Sequence, residues 1–286
     1  MCGSLFENIP IVNCAPIMRI HFASDLHLEY LNKRFPDYIR VDRLYAPFAD
    51  LLILAGDIHV GTRMVDKFGQ WPHPVLYVPG NHEFYDTAID VHLAKIKAAA
   101  EGTAMVVLAR DEYVTQGVRF LGCTLWTDYL LMGSGGRQLA AMLACEARIA
   151  DHRKIMGVKK MGQGFSAQQA YELHLEERAW LESKLNEPFN GKTVVITHHA
   201  PSRGSVHPRF RGDPCNSAFV SDLEGLVEKA DFWIHGHVHD TFDYKVGNCR
   251  VMTNPGSYAT TLGKVKSPED LEWENPYFDP QKLFEL

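Results

Sequence analysis

The chain has 286 residues, 46% apolar and 22% charged, the balance of an ordinary globular protein. A formal net charge of −6 gives no overall basic field to recruit nucleic acid. No stretch approaches the ~18–20 unbroken apolar residues of a membrane span, and six cysteines without CxxC spacing read as reduced thiols of a cytoplasmic protein.

Residues 1–17 read as an N-terminal extension. They have no basic n-region, and Glu7 and Asn13 interrupt their apolar part, which makes a poor signal peptide. Met18 is a candidate alternative start, and residues 18–286 read as one domain. The first strand, Met18 to Ser24, runs into Asp25-Leu26-His27. Alternate residues of an extended chain face the same way, so Asp25 and His27 can address one point. A solvated turn is the commoner fate of a lone pair of this kind.

Leu51 to Ala55 is an unbroken apolar run, the pattern of a strand buried on both faces. It stops at Gly56 and delivers Asp57, with His59 just beyond. A carboxylate at the end of a buried strand is costly unless a charge meets it; the plainer role is capping the next helix. Pro74 to Val78 repeats the pattern and ends in Pro79-Gly80-Asn81-His82-Glu83. Residues 86–101 then carry helical spacing, ending at Gly102.

Short β-like runs follow at Met105–Leu108, Tyr113–Val114 and Val118–Leu121, the last leading to Trp126. Residues 133–165, with glycines at both ends, read as a mostly helical stretch: either a cap inserted over a site or a plain connection across the surface. A second helix is expected over Ser166–Leu185 with Ser166 as its N-cap. The β-branched run Thr193–Thr197 leads straight into His198-His199-Ala200-Pro201, and a broken polar loop with Arg203, Arg209 and Arg211 follows. A helix over Ser221–Lys229 precedes Phe232-Trp233-Ile234, which leads to His235-Gly236-His237-Val238-His239. Asp243–Val246 and Arg250–Thr253 form a hairpin around Gly247-Asn248, and residues 268–286 read as a surface tail.

Strands alternating with helices indicate an α/β class with mixed sheets. Five strand ends then present Asp25 and His27, Asp57, Asn81 and His82, His198, and His237 and His239. Sites gather at such ends. Carboxylate, imidazole and an amide oxygen suit Mn, Fe or Zn, and there are more donors than one tetrahedral ion needs.

Asp25-x-His27, Gly56-Asp57, Gly80-Asn81-His82-Glu83, His198-x-x-Pro201 and Gly236-His237-x-His239, in this order, resemble the calcineurin-like metallophosphoesterase superfamily. Asp25 to Glu29, Gly80 to Tyr85 and Thr124 to Asp128 are similar to a loosely defined bacterial set. No Gly-Asp-x-x-Asp-Arg run follows Asp57, unlike the protein phosphatases. The resemblance implies a four-layer α/β/β/α sandwich of two mixed sheets with a dinuclear site at the strand ends. Asp25, His27 and His239 would hold one metal, Asn81, His198 and His237 the other, and Asp57 would bridge them. His198 is chosen over His199 because it ends the strand three residues before Pro201. A metal-bridging hydroxide would attack phosphorus, while His82 would protonate the leaving oxygen or bind phosphate.

His59, His199 and Arg203 are weaker candidates for substrate contacts, His59 equally as a support behind a ligand. The expected function is hydrolysis of a P–O bond, mono- or diester, in a small phosphorylated metabolite or nucleotide. The alternatives are a nuclease-type phosphodiesterase, a non-catalytic scaffold of the same fold, and a metal-binding protein.

Overall fold

The computed structural model describes residues 17–36, 44, 46–159 and 164–286. Nearly all of the expected N-terminal extension, with Cys2 and Cys14, and the glycine expected at position 162 lie outside them. In chain order the elements are β1 (Arg19–Ala23), α1 (Leu28–Arg34), β2 (Leu51–Ala55), α2 (Arg63–Phe68), β3 (Val75–Val78), α3 (Ile89–Ala100) and β4 (Met105–Val107). Then come β5 (Asp111–Thr115), β6 (Val118–Cys123), α4 (Gly136–Arg148), α5 (Asp151–Lys154), α6 (Ala167–Asn186) and β7 (Lys192–Thr197). The chain closes with α7 (Glu224–Val227), β8 (Phe232–His235), β9 (Asp243–Val246), β10 (Cys249–Thr253) and β11 (Leu283–Glu285).

Two mixed sheets result. The five-stranded sheet has the order β11-β1-β2-β3-β4 and the six-stranded sheet β5-β6-β7-β8-β10-β9. β1 to β4 pair in parallel and β11 runs antiparallel on β1; β6, β7, β8 and β10 are parallel, with β5 and β9 antiparallel at the edges. Parallel neighbours need crossovers; helices supply them on the outer faces, except between β8 and β10, which β9 joins.

Side-chain alternation sorts the apolar residues into layers. Ile53, Leu76, Phe120, Val194, Ile196 and Met252 form the core between the sheets. Leu52, Leu54 and Tyr77 point the other way, onto Phe68 and Ile96 of the helices outside the first sheet. Val195, Trp233 and Val251 face outward from the second sheet onto Leu181 and Leu185 of α6. β2 is therefore buried on both faces, as its unbroken run predicts, and the architecture is the expected sandwich of two mixed sheets flanked by helices.

Several elements are shorter than their patterns suggest. The helix expected from residue 86 starts at Ile89, because Asp86 and Met156 exchange backbone bonds with Lys154 and Thr87, tying residues 85–87 to 154–156. The Ser221–Lys229 helix shrinks to one turn, since Ser221 and Leu223 donate their amides to Ala200 and Pro201. Ser166 caps α6 by accepting from the Gln169 amide, as expected. Among the described residues of 133–165, α4 and the single turn α5 are the α-helices. The tail expected on the surface instead completes the first sheet as β11.

Candidate metal centre

The loops after β1, β2, β3, β7 and β8 converge at one end of the sandwich. Asp25, His27, Asp57, His237 and His239 all have φ between 46° and 69°, the left-handed region. Such conformations cost of order 1–3 kcal/mol each and cluster where side chains must be aimed. Here they turn side chains back over the strand ends. Gly80 has to be glycine, because a Cβ there would land on the Asp57 carboxylate. Gly56, at φ 85°, meets the His198 ring in the same way.

Three clusters of possible donors result; one, His27 with Glu29 and His82, shares His27 with the first of the two groups that follow. Asp25, His27 and His239 converge in one, with 3.1 Å between Nε2 of His27 and Nε2 of His239 and 3.5 Å from the latter to Oδ1 of Asp25. Asp57, His198 and His237 converge in the other. Nε2 of His198 lies 2.9 Å from Oδ1 of Asn81 and 3.4 Å from Oδ1 of Asp57. The other oxygen of Asp57, Oδ2, lies 3.9 Å from Nε2 of His27. One carboxylate thus turns an oxygen to each group.

The ring nitrogens are assigned by what stands behind them. Nδ1 of His27 donates to Glu29 at 3.2 Å, Nδ1 of His239 to Glu274 at 2.8 Å, and Nδ1 of His198 to the Ala55 carbonyl at 2.9 Å. Each leaves Nε2 facing inward, the arrangement of metal-binding histidines backed by carboxylate or carbonyl. Nδ2 of Asn81 donates to Asp151 at 2.8 Å, which turns Oδ1 into the site. Nε2 of His237 is buried without a hydrogen-bond partner among the described residues. An orphaned imidazole nitrogen beside buried carboxylates fits a cation.

Charge follows this arrangement. Burial works to raise the Asp25 and Asp57 carboxyls, but neighbouring imidazoles, His239 for Asp25 and His198 for Asp57, hold both below the usual range. Glu29 is held at about 2, its burial outweighed by hydrogen bonds from His27 and His82. Against burial, Asp57 and Glu29 raise His82. Burial and the neighbouring imidazoles push His237 well down, to the neutral form. Glu83 accepts from the amides of Asp57, Ile58 and Gly80 at 2.8–3.1 Å and so fixes the loops after β2 and β3 to one another.

His82 stands beside both groups. Its Nδ1 donates to Glu29 at 3.1 Å, and its Nε2 lies 3.1 Å from the Tyr258 hydroxyl. The Tyr258 ring stacks on His27 with centroids 4.3 Å apart. Asp57, Asn81, His82, His237, His239 and Tyr258 open onto a cleft of about 380 Å³, walled on the far side by residues 148–151 and 205–220. Tyr85 lines it too, while Trp126 is buried in the first sheet's outer core.

The weaker candidates lie elsewhere. His59 is buried, its Nδ1 without a partner among the described residues, and is not part of the cleft wall. His199 is buried against Trp126 and His237 with Nδ1 3.3 Å from the Thr124 carbonyl. Arg203 is exposed and paired with Asp222 at 2.5 Å. Glu29, Asp151, Tyr258 and Glu274 escaped the sequence reading. Only Glu29 carried a signal, its place two residues after His27.

A family model described as calcineurin-like phosphoesterase matches residues 18–241. The uncharacterized protein L509 of Acanthamoeba polyphaga mimivirus is 25% identical over 276 residues, covering 85% of this chain and 92% of that one. The crystal structure of phosphopantetheinyl hydrolase from Mycobacterium tuberculosis superposes with a TM-score of 0.62 at 18% identity, over 94% of this chain and 99% of that one. A dimetal phosphatase from Danio rerio is similar at a TM-score of 0.43 and 17% identity, over 83% and 87% of the two chains.

Proposed function

Because the chain belongs to the calcineurin-like phosphoesterase family, we propose that it is a metal-dependent hydrolase of P–O bonds in a small phosphorylated molecule. The observation that carries this reading is Asp57, buried and turning one oxygen to the His27 group and the other to the His198 group. Asp25, His27 and His239 would hold one ion, Asn81, His198 and His237 the second, with Asp57 shared. Mn, Fe and Zn all accept this donor set. When bound, a pair of such ions acidifies water and offsets the charge on phosphoryl oxygens.

The chain's own residues do the rest. Glu29 fixes the His82 ring through Nδ1 and, with Asp57, favours its protonated form. Nε2 is left facing the cleft, where it can hand a proton to the departing alkoxide. The Tyr258 hydroxyl beside Nε2 holds the place of that oxygen. Asp151 keeps the Asn81 amide in the orientation a metal requires. The segment from α4 to α5, through Asp151, thus acts as a cap that completes the site. One alkoxide departs whether phosphorus carries one ester arm or two, so these groups serve a monoester and a diester alike, and the test separates them.

The test is hydrolysis of p-nitrophenyl phosphate and bis-p-nitrophenyl phosphate, with Mn²⁺ added, by wild type and Asp57→Asn. Turnover on one ester, lost in the variant by about three powers of ten or more, is expected where several kcal/mol of metal stabilisation disappears. Equal turnover by both proteins would overturn the reading.

A further inference from the structure

The cleft beside His82 and Asp57 is built from two kinds of wall. The strand-end wall is polar. The opposite wall, from the end of α4 and from residues 205–220 together with Val238, presents Ile149, Val206, Phe210, Phe219 and Val220. Phe210 is 43% exposed, with the Arg209 guanidinium 4.7 Å over its ring, and adds aromatic surface to this apolar wall.

The charged groups around this wall are engaged with one another. Arg148 makes two hydrogen bonds of 2.8 Å to Asp213, and Arg209 pairs with Asp240 at 2.9 Å. Nδ1 of His207 accepts from the Arg209 amide. Asp151 is taken by Asn81 and Tyr85, and Glu274 by His239. An anion entering here would meet Asp151, Asp213, Asp240 and Glu274, and Arg148 and Arg209 are already paired. A neutral apolar group would meet aliphatic and aromatic carbon.

We propose that the substrate's alcohol moiety occupies this cleft, and that it is an aryl or alkyl group bearing no second anionic group. The proposal rests on the phosphoesterase reading and narrows it. Nucleoside di- and triphosphates and sugar bisphosphates are disfavoured, since their further phosphoryl groups would sit against Asp213 and Asp240, whose arginine partners are already engaged. Phosphate esters of hydrophobic alcohols gain at least about tenfold for each apolar group that fills such a wall.

Calorimetric titration of the Mn²⁺-loaded full-length protein with three phosphonates tests this without turnover. Phenylphosphonate should bind about tenfold or more tightly than methylphosphonate, and 3-phosphonopropionate no more tightly than methylphosphonate. Phe210→Glu, at a half-exposed position, should bring the phenyl-to-methyl ratio close to one. Methyl- and phenylphosphonate binding equally, or 3-phosphonopropionate binding tightest, would overturn the proposal and leave the phosphoesterase reading standing. Binding of none of the three, with metal present by elemental analysis, would overturn both.

Discussion

At the ends of the five-stranded sheet stand Asp25, His27, Asp57 and Asn81; at the ends of the six-stranded sheet stand His198, His237 and His239. Both carboxylates of these donor groups, Asp25 and Asp57, come from the first sheet, and the second contributes imidazoles to them. Each half is held by the other. His198 donates to the carbonyl of Ala55 in β2, and the His237 amide donates to Asp25 at 3.0 Å. On the proposed reading, the carboxylate half would supply the charge that draws cations and the imidazole half would refine where they sit. Damage to the two halves should therefore differ in kind.

The sharpest way to separate binding from chemistry lies in the first half. His82→Ala removes a group that faces the cleft but belongs to neither donor set proposed for metal. Turnover should fall by roughly 10²–10⁴-fold with the metal content unchanged. Metal content near zero in this variant, read by elemental analysis, would make His82 a ligand and redraw the boundary between the two roles.

A smaller effect compares the carboxylates behind the rings. Glu29→Gln loosens His27 and His82 together, whereas Glu274→Gln loosens only His239. Both should cost roughly 10–100-fold in metal affinity or activity, as groups behind ligands do. Glu29→Gln should also lower turnover at saturating metal, and Glu274→Gln should be restored there. Equal behaviour of the two variants under saturating metal would erase the distinction between the halves.

These partners also mark where the sequence stops being legible. The ligand candidates could be read because each follows its own strand directly, so local pattern and position coincide. Asp151, Tyr258 and Glu274 lie in no such pattern; they reach the site because α5, the loop after β10 and the tail fold over it. β11 is three residues long, too short for a periodicity, and exists because β1 offers an unpaired edge. The shortened α7 is the same lesson, its amides having been claimed by Ala200 and Pro201.

The smallest effects concern stability, and there the two sheets oppose each other. His21 on β1 is buried with Nε2 3.0 Å from the Pro280 carbonyl, and burial lowers it to about 4. The unfolded chain then binds more protons between pH 4 and 6.5, so this term is present above 6.5 and lost as pH falls through 4. It amounts to at most about 3 kcal/mol.

Glu177 on α6, against the second sheet, behaves in the reverse sense. Burial raises it to about 8, and its Oε2 has no partner among the described residues. The folded state then holds the proton between 4.5 and 8, so stability falls as pH rises through that window, by up to a few kcal/mol. Glu177→Gln keeps the shape and abolishes the titration. Urea midpoints of wild type and variant should coincide near pH 5 and diverge above pH 7, with the variant more stable. Parallel profiles across that range would place the Glu177 carboxyl in an ordinary environment. Divergence, together with a His21→Gln variant that flattens only the acid side, would show each sheet carrying its own pH limit.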